Sequence, residues 1–255
     1  MKSYGNEQET MRFIFRNLNS FSLPHIGLIK NLSVPHKNGE LVKITNEEDL
    51  DYFSSSDSRK KADFYLNDFG ISHKQSGGCQ LFNRLQRHDL LRVFDFLNFN
   101  RGEELLSKLD RQIDLVHFEQ KARNRAWDSC FCKDQFQILL NFLMTEGSPN
   151  YGISSSKVDF ILNSPKVIKS TNDLKVYTFQ EYFNQFSDQI KIAVRRCWMG
   201  QGSKTESQRA ISLNRKKENR RWIFDSIVGE PKFWDNRFPK KERKTAYYLM
   251  IEQTN

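Results

Sequence analysis

Asp63 and Lys74 are a carboxylate and an ammonium held on two strand-like segments, residues 61–66 and 71–75. Between them Asn67-Asp68-Phe69-Gly70 has the composition of a four-residue turn, with Gly70 placed for a positive φ. Pairing Leu66 with Ile71 sets Tyr65 opposite Ser72, Phe64 opposite His73 and Asp63 opposite Lys74. Side chains alternate along a strand, so Asp63, Tyr65, Ser72 and Lys74 share one face. Phe64, Leu66, Ile71 and His73 share the other, mainly apolar face. Opposed Cβ atoms lie about 5 Å apart. A carboxylate beside a lysine at that spacing suits metal-assisted phosphodiester hydrolysis. The carboxylate holds Mg2+, a hard cation that prefers oxygen ligands. The metal acidifies a bound water, and the lysine orients that water or stabilises charge developing on phosphorus. The plain alternative is a cross-strand salt bridge on a solvated hairpin, worth less than about 1 kcal/mol.

Lys61-Ala62-Asp63-Phe64-Tyr65-Leu66, followed by Gly70-Ile71-Ser72-His73-Lys74-Gln75-Ser76-Gly77-Gly78, resembles the core hairpin of type II restriction endonucleases of the PD-(D/E)xK nuclease superfamily. Asp63 matches the first acidic position of that pattern and Lys74 its lysine. Ser72 stands where the second acidic residue is expected, which removes a metal ligand. Some members draw a carboxylate from the following helix, where this chain offers Gln86 and then Asp89. Many carry a glutamate on their first helix, a slot that Glu7 or Glu9 could fill. The resemblance spans about residues 59–98. It implies an α/β fold with a central mixed β-sheet flanked by helices, Mg2+ dependence and sequence-specific cleavage of double-stranded DNA. It further implies a restriction-modification system in a prokaryotic cytosol. A palindromic target would suggest a homodimer.

The flanks of the hairpin carry groups suited to DNA. Lys60 and Lys61 enter the first strand and would meet backbone phosphates. Gln75 and Ser76, with two glycines behind them, form a small polar loop that a phosphate backbone could approach. A helix expected over 79–98 then presents Asn83, Arg84, Arg87 and Arg92, and arginine is the usual bidentate partner of guanine and phosphate. The plain reading of that helix is a solvated surface.

The chain must position these groups with 255 residues, enough for a sizeable core. Residues 1–190 hold 24 Lys/Arg and 24 Asp/Glu, whereas residues 191–255 hold 16 against 7 and so carry the whole net charge of +9. That is the footprint of a polyanion-binding surface. Trp198, Trp222, Phe224, Phe233, Trp234, Tyr247 and Tyr248 are mixed through it, which argues for folded structure. Helices are expected over 5–18, 79–98, much of 103–120 and 133–145. Strand-like runs follow at 158–162, 175–179, 190–194, 210–213, 222–228 and 245–252. The turn-rich stretch after Glu146 suggests an α/β catalytic core over 1–147 and a β-rich basic part over 148–255, packed on it as one globular unit. Arg209 to Phe224 reads as a β-ribbon whose tip, with Arg215, Lys216 and Lys217, could enter a major groove.

Other patterns carry less. Asp68-Phe69-Gly70 spells a kinase triplet without the phosphate loop and catalytic loop that should precede it. Residues 200–205 lack the spacing of a phosphate loop and read as a basic loop. The five His form no zinc-hydrolase pair, and no nucleophile elbow occurs. The four Cys suit ordinary reduced thiols. No apolar run is long enough to cross a membrane and the start lacks a signal peptide, so a cytoplasmic location is expected. Two alternatives stay open: a basic DNA- or RNA-binding protein without nuclease activity, and a DNA repair or recombination nuclease. If residues 191–255 make most of the phosphate contacts, DNA binding weakens steeply with salt. Replacing Lys216 and Lys217 by Gln then flattens the slope of log K against log salt. An unchanged slope removes this segment from the interface.

Overall fold

The computed structural model describes residues 6–36, 40–52, 61–76, 80–117, 124–148, 152–154, 156–198 and 245–253. Lys60, the expected strands at 210–213 and 222–228, and the ribbon tip at Arg215, Lys216 and Lys217 lie outside the described residues. The chain divides into two compact units: residues 1–80 with 137–189 and 253–255, and residues 81–136 with 190–252. It therefore crosses between units more than once, rather than dividing a single time near residue 147.

The first unit opens with α1 (Asn6–Arg16). Glu7 and Glu9 in its first turn and Arg16 in its last complement the helix dipole. Its apolar stripe buries Met11 and Ile14. A short ladder of β1 (Ser22–Leu23) and β2 (Gly27–Leu28) leads to β3 (Leu32–Pro35), β4 (Leu41–Lys43) and α2 (Asp49–Tyr52). The expected hairpin follows as β5 (Phe64–Leu66) and β6 (Phe69–Gln75).

The chain then runs through β7 (Gln80–Gln86), α3 (Arg87–Phe96), α4 (Gly102–His117), β8 (Asn124–Ala126) and α5 (Lys133–Asn141). The helix expected over 79–98 is thus a strand followed by a shorter helix. β7 is claimed by β14 (Thr245–Gln253) in a four-stranded sheet of order β7-β14-β13-β8, where β13 spans Ile190–Trp198. That pairing lies far away in sequence and overrides local helix periodicity. Within this second unit Phe94 stacks on Phe99 at 5.8 Å and meets Phe131 edge-on at 6.1 Å.

Back in the first unit, α5 is continued by a π-helical turn over Phe142–Glu146. The small ladder β9 (Gly147–Ser148) and β10 (Gly152–Ile153) precedes β11 (Phe160–Ser164), β12 (Lys175–Tyr177) and α6 (Phe179–Phe186). The strand expected over 175–179 stops at Tyr177, because Thr178 and Glu181 form a capping box that starts α6.

The central sheet has six strands in the order β12-β11-β6-β5-β3-β4. β11 lies parallel to β6, and the remaining neighbours are antiparallel. Phe64, Leu66, Ile71, Leu162 and Val176 line one face and form a core with Met11 and Ile14 of α1. The opposite face holds Asp63, Tyr65, Ser72 and Lys74, as the alternation requires.

The hairpin register differs from expectation. Phe64 pairs with Ile71, Tyr65 with Gly70 and Leu66 with Phe69, so the turn is the two residues Asn67-Asp68. Asn67 takes the positive φ, at 53°. Its side chain accepts from the Lys30 amide at 2.9 Å and donates to the Leu28 carbonyl at 3.0 Å, which fixes the tip. The shift of two positions moves the pairs but leaves every side chain on its expected face.

Gly70 is required for a different reason than the turn. A Cβ there would collide with the Lys157 carbonyl oxygen. The Gly70 amide also donates to Asp159 Oδ2 at 2.7 Å, and its carbonyl accepts from the Asp159 amide at 2.7 Å. Gly70→Ala should lower stability by about 1–3 kcal/mol in urea melts, because backbone cannot move aside as a side chain can. A loss under about 0.5 kcal/mol would show that residues 157–159 yield easily.

Candidate functional site

β5 begins at Phe64, and just before it a side chain takes the place of ladder bonds. The Asp63 amide donates to the Ile71 carbonyl at 2.8 Å, and Asp63 Oδ2 accepts the His73 amide at 2.7 Å. Continuing the register sets Asp63 opposite Ser72, with Lys74 on the diagonal. The Ser72 hydroxyl lies near enough to the Asp63 carboxylate to favour its ionised form. Lys74 Nζ in turn donates to Ser72 Oγ at 3.0 Å. Ammonium, hydroxyl and carboxylate thus cluster on one face of the hairpin, with Ser72 itself buried.

Lys61, read from the sequence as a phosphate contact, belongs to this cluster. Its Nζ donates to the Leu143 carbonyl at 2.7 Å. The π-helical turn over 142–146 shapes that end of the face, and such turns often occur at functional sites. Burial, then repulsion from Lys74, lowers the Lys61 pKa to about 8, against the attraction of Asp63. Burial raises the Asp63 pKa, opposed by Lys74, the His73 amide, Lys61 and Ser72. One carboxylate therefore faces two lysines.

Asn163 has no sequence signal but completes the face. It is the β11 register partner of Lys74, and Lys175 of β12 is its partner on the far side. It is 6% exposed, and its Oδ1 has no hydrogen-bond partner among the described residues. Only the parallel pairing of β11 with β6 reveals it.

The opposite face holds His73. Its Nε2 lies 2.8 Å from Ser164 Oγ and 3.2 Å from Thr10 Oγ1, and those two hydroxyls are 3.1 Å apart. His73 thus ties α1 to β6 and β11. Glu7 and Glu9 are exposed on α1, and Glu9 pairs with Arg12 at 3.5 Å. The helix that carries them covers the face away from Asp63.

Gln75 closes β6, and the Ser76 amide donates to the Ser164 carbonyl at 2.8 Å. Asn83, Arg84 and Gln86 fall on β7 rather than on a helix, and Arg87 and Asp89 fall in the first turn of α3. All five belong to the second unit, whereas Asp63, Ser72, Lys74 and Lys61 belong to the first.

The donor set can be tested against Mg2+. Among the described residues no group of three or more His, Cys, Asp and Glu could hold a metal ion. Asp63 and Ser72 offer hard oxygens, but the two lysines leave the cluster net positive. Mg2+ is commonly held by one or two carboxylates together with substrate phosphates and waters. The residues fit that case, a cation arriving with its phosphate, and not a self-sufficient cation cage.

Among the described residues no helix is long and apolar enough to cross a membrane. No family model, curated protein or solved structure matches the chain.

His73 yields a stability prediction. Burial, then Lys74, lowers its pKa to about 4 from an ordinary value near 6.5. The unfolded chain binds the extra proton between those values, so His73 stabilises the fold fully above pH 6.5. That contribution fades as pH falls towards 4. Asp63, with its raised pKa, acts in the opposite sense. Comparison with His73→Gln isolates the histidine: the variant should lose less stability between pH 6.5 and 4.5, by about 1–2 kcal/mol. Parallel curves for the two proteins would show that the Thr10–His73–Ser164 contact does not sense protonation.

Proposed function

We propose that the chain is a Mg2+-dependent endonuclease of double-stranded DNA, of the type II restriction class, with its active site at Asp63, Ser72 and Lys74. The observation that carries this reading is the cluster of the Asp63 carboxylate, the Ser72 hydroxyl and the Lys74 ammonium on one face of the hairpin, near the middle of a mixed sheet flanked by helices. Asp63 and Ser72 would hold the cation, and Lys74 would hold and orient the attacking water. Lys61 would offset negative charge as the phosphodiester enters. Bound Mg2+ would acidify that water and neutralise charge on the phosphate oxygens. The hydrogen bond from the His73 amide keeps the Asp63 carboxylate in place without a second carboxylate to brace it.

A second reading, a basic nucleic-acid-binding protein without cleavage, rests on the excess of lysine over carboxylate in the cluster. A third keeps the nuclease chemistry but assigns it to DNA repair or recombination.

Plasmid incubation with Mg2+ against EDTA separates them. Discrete fragments support the first reading, retardation without cutting the second, and structure-selective nicking the third. Asp63→Asn, which keeps an acceptor for the His73 amide but loses the charge, should reduce cleavage by roughly three orders of magnitude, about 4 kcal/mol of barrier, while DNA binding and the melting temperature hold. Lys74→Ala should also lose cleavage but keep Mg2+ binding in the presence of DNA. Cleavage that survives both substitutions would place the active site elsewhere.

A further inference from the structure

A buried carbonyl oxygen without a donor loses its hydration and gains nothing in return, so a fold that keeps one calls for an explanation. Asn163 Oδ1 is such an atom, in the middle of the sheet and on the face of the Asp63 cluster. Its register partner Lys74 carries three N–H donors and spends one of them on Ser72 Oγ. Neighbouring strands lie about 4.8 Å apart, well within the length of a lysine side chain. Lys175, the partner on the other side, is exposed and keeps its head group in water.

Resting on the nuclease reading, the geometry points to Asn163 as the positioning residue of Lys74: its Oδ1 receives the ammonium when a cation is seated at Asp63 and Ser72. The present bond puts the ammonium 3.0 Å from Ser72 Oγ, the same oxygen that a cation would use. Two positive centres cannot share that oxygen, because their repulsion at such a distance is large in a poorly hydrated site. Lys74 must therefore move as the cation arrives. Asn163 offers an acceptor on the adjoining strand, which keeps the ammonium on the same face and beside the entering phosphate. Without that acceptor the displaced lysine turns to solvent and no longer orients a water. The acceptor is neutral, so it directs the ammonium without binding the cation in its place.

The test follows the Lys74 Nζ signal by 15N NMR in the full chain, assigned with Lys74→Arg, during titration with Mg2+ in the presence of inorganic phosphate. In the wild type the signal moves on addition of Mg2+. In Asn163→Leu it either stays put or broadens into exchange with water. In Asn163→Asp, which keeps an acceptor oxygen at the same place, the signal already sits near the shifted position before Mg2+ is added. Asn163→Leu also removes the unpaired oxygen, so its melting temperature should match or exceed that of the wild type, and the comparison is made on folded protein. Cleavage should fall at least tenfold in Asn163→Leu. An identical Lys74 response in wild type and Asn163→Leu overturns the proposal. So does full cleavage in Asn163→Leu. A wild type that never cuts DNA instead refutes the nuclease reading, and the Lys74 signal then still decides whether Asn163 seats the lysine.

Discussion

The Asp63 carboxylate acts as a piece of backbone. β6 runs on past the start of β5, and the His73 amide would be left facing an absent ladder partner. Asp63 Oδ2 takes that amide at 2.7 Å. An unsatisfied buried amide costs more than a hydrogen bond gains, so this one contact both bounds β5 and fixes the carboxylate. Everything else on that face of the hairpin is placed relative to it. Ser72 opposes it, Lys74 reaches Ser72, and Lys61 lies on the same strand side under the Leu143 carbonyl. The opposite face is set at the same moment, because His73 must then point into the packing between β6 and α1. There it meets Thr10 and Ser164, and the helix is tied to the sheet.

The two faces of β6 therefore divide the labour. One is a continuous apolar layer with a single polar knot at His73. The other collects charge that burial makes expensive to keep: a carboxylate pushed towards protonation, a lysine pushed towards its neutral form, and an amide oxygen without a donor. Ionisable groups so perturbed and so close together cluster at functional sites, and they are poor economy for a hairpin that serves only to fold. A solvated cross-strand salt bridge, the plain alternative, would leave those groups in water with little perturbation. It does not describe Lys61, whose ammonium is turned towards a backbone carbonyl.

The face that carries Asp63 and Lys74 was legible in the sequence because strand side chains have a period of two. The pairing expected from a four-residue turn was off by two positions, yet an even slip preserves faces, and Asp63, Ser72 and Lys74 stayed together. The turn itself was misread because Asn67, not glycine, takes the left-handed conformation. It is held there by Lys30 and Leu28, contacts with no local signature. β7 was misread as helix because its ladder partner comes from the far end of the chain. α6 was missed although Thr178 and Glu181 spell a capping box. Asn163 could not have been picked out by any local pattern. It becomes a site residue only through a parallel pairing, and parallel partners carry no turn to announce them.

That parallel pairing has a consequence for how the protein is made. β6 and β11 are neighbours at the centre of the sheet, yet residues 81–136 of the second unit are threaded between them in sequence. The loop that must close before they meet is long, and contacts of that range slow folding. On the ribosome the β5–β6 hairpin emerges well before β11 exists, so it waits with one edge of its central strand unpaired. Asp63 and Lys74 are already in the chain at that stage, but the strand bearing Asn163 and Ser164 has yet to arrive. Synthesis thus delivers the groups of this face in two instalments, and a chain interrupted before Phe160 holds the carboxylate and the lysine on a sheet that cannot close around them.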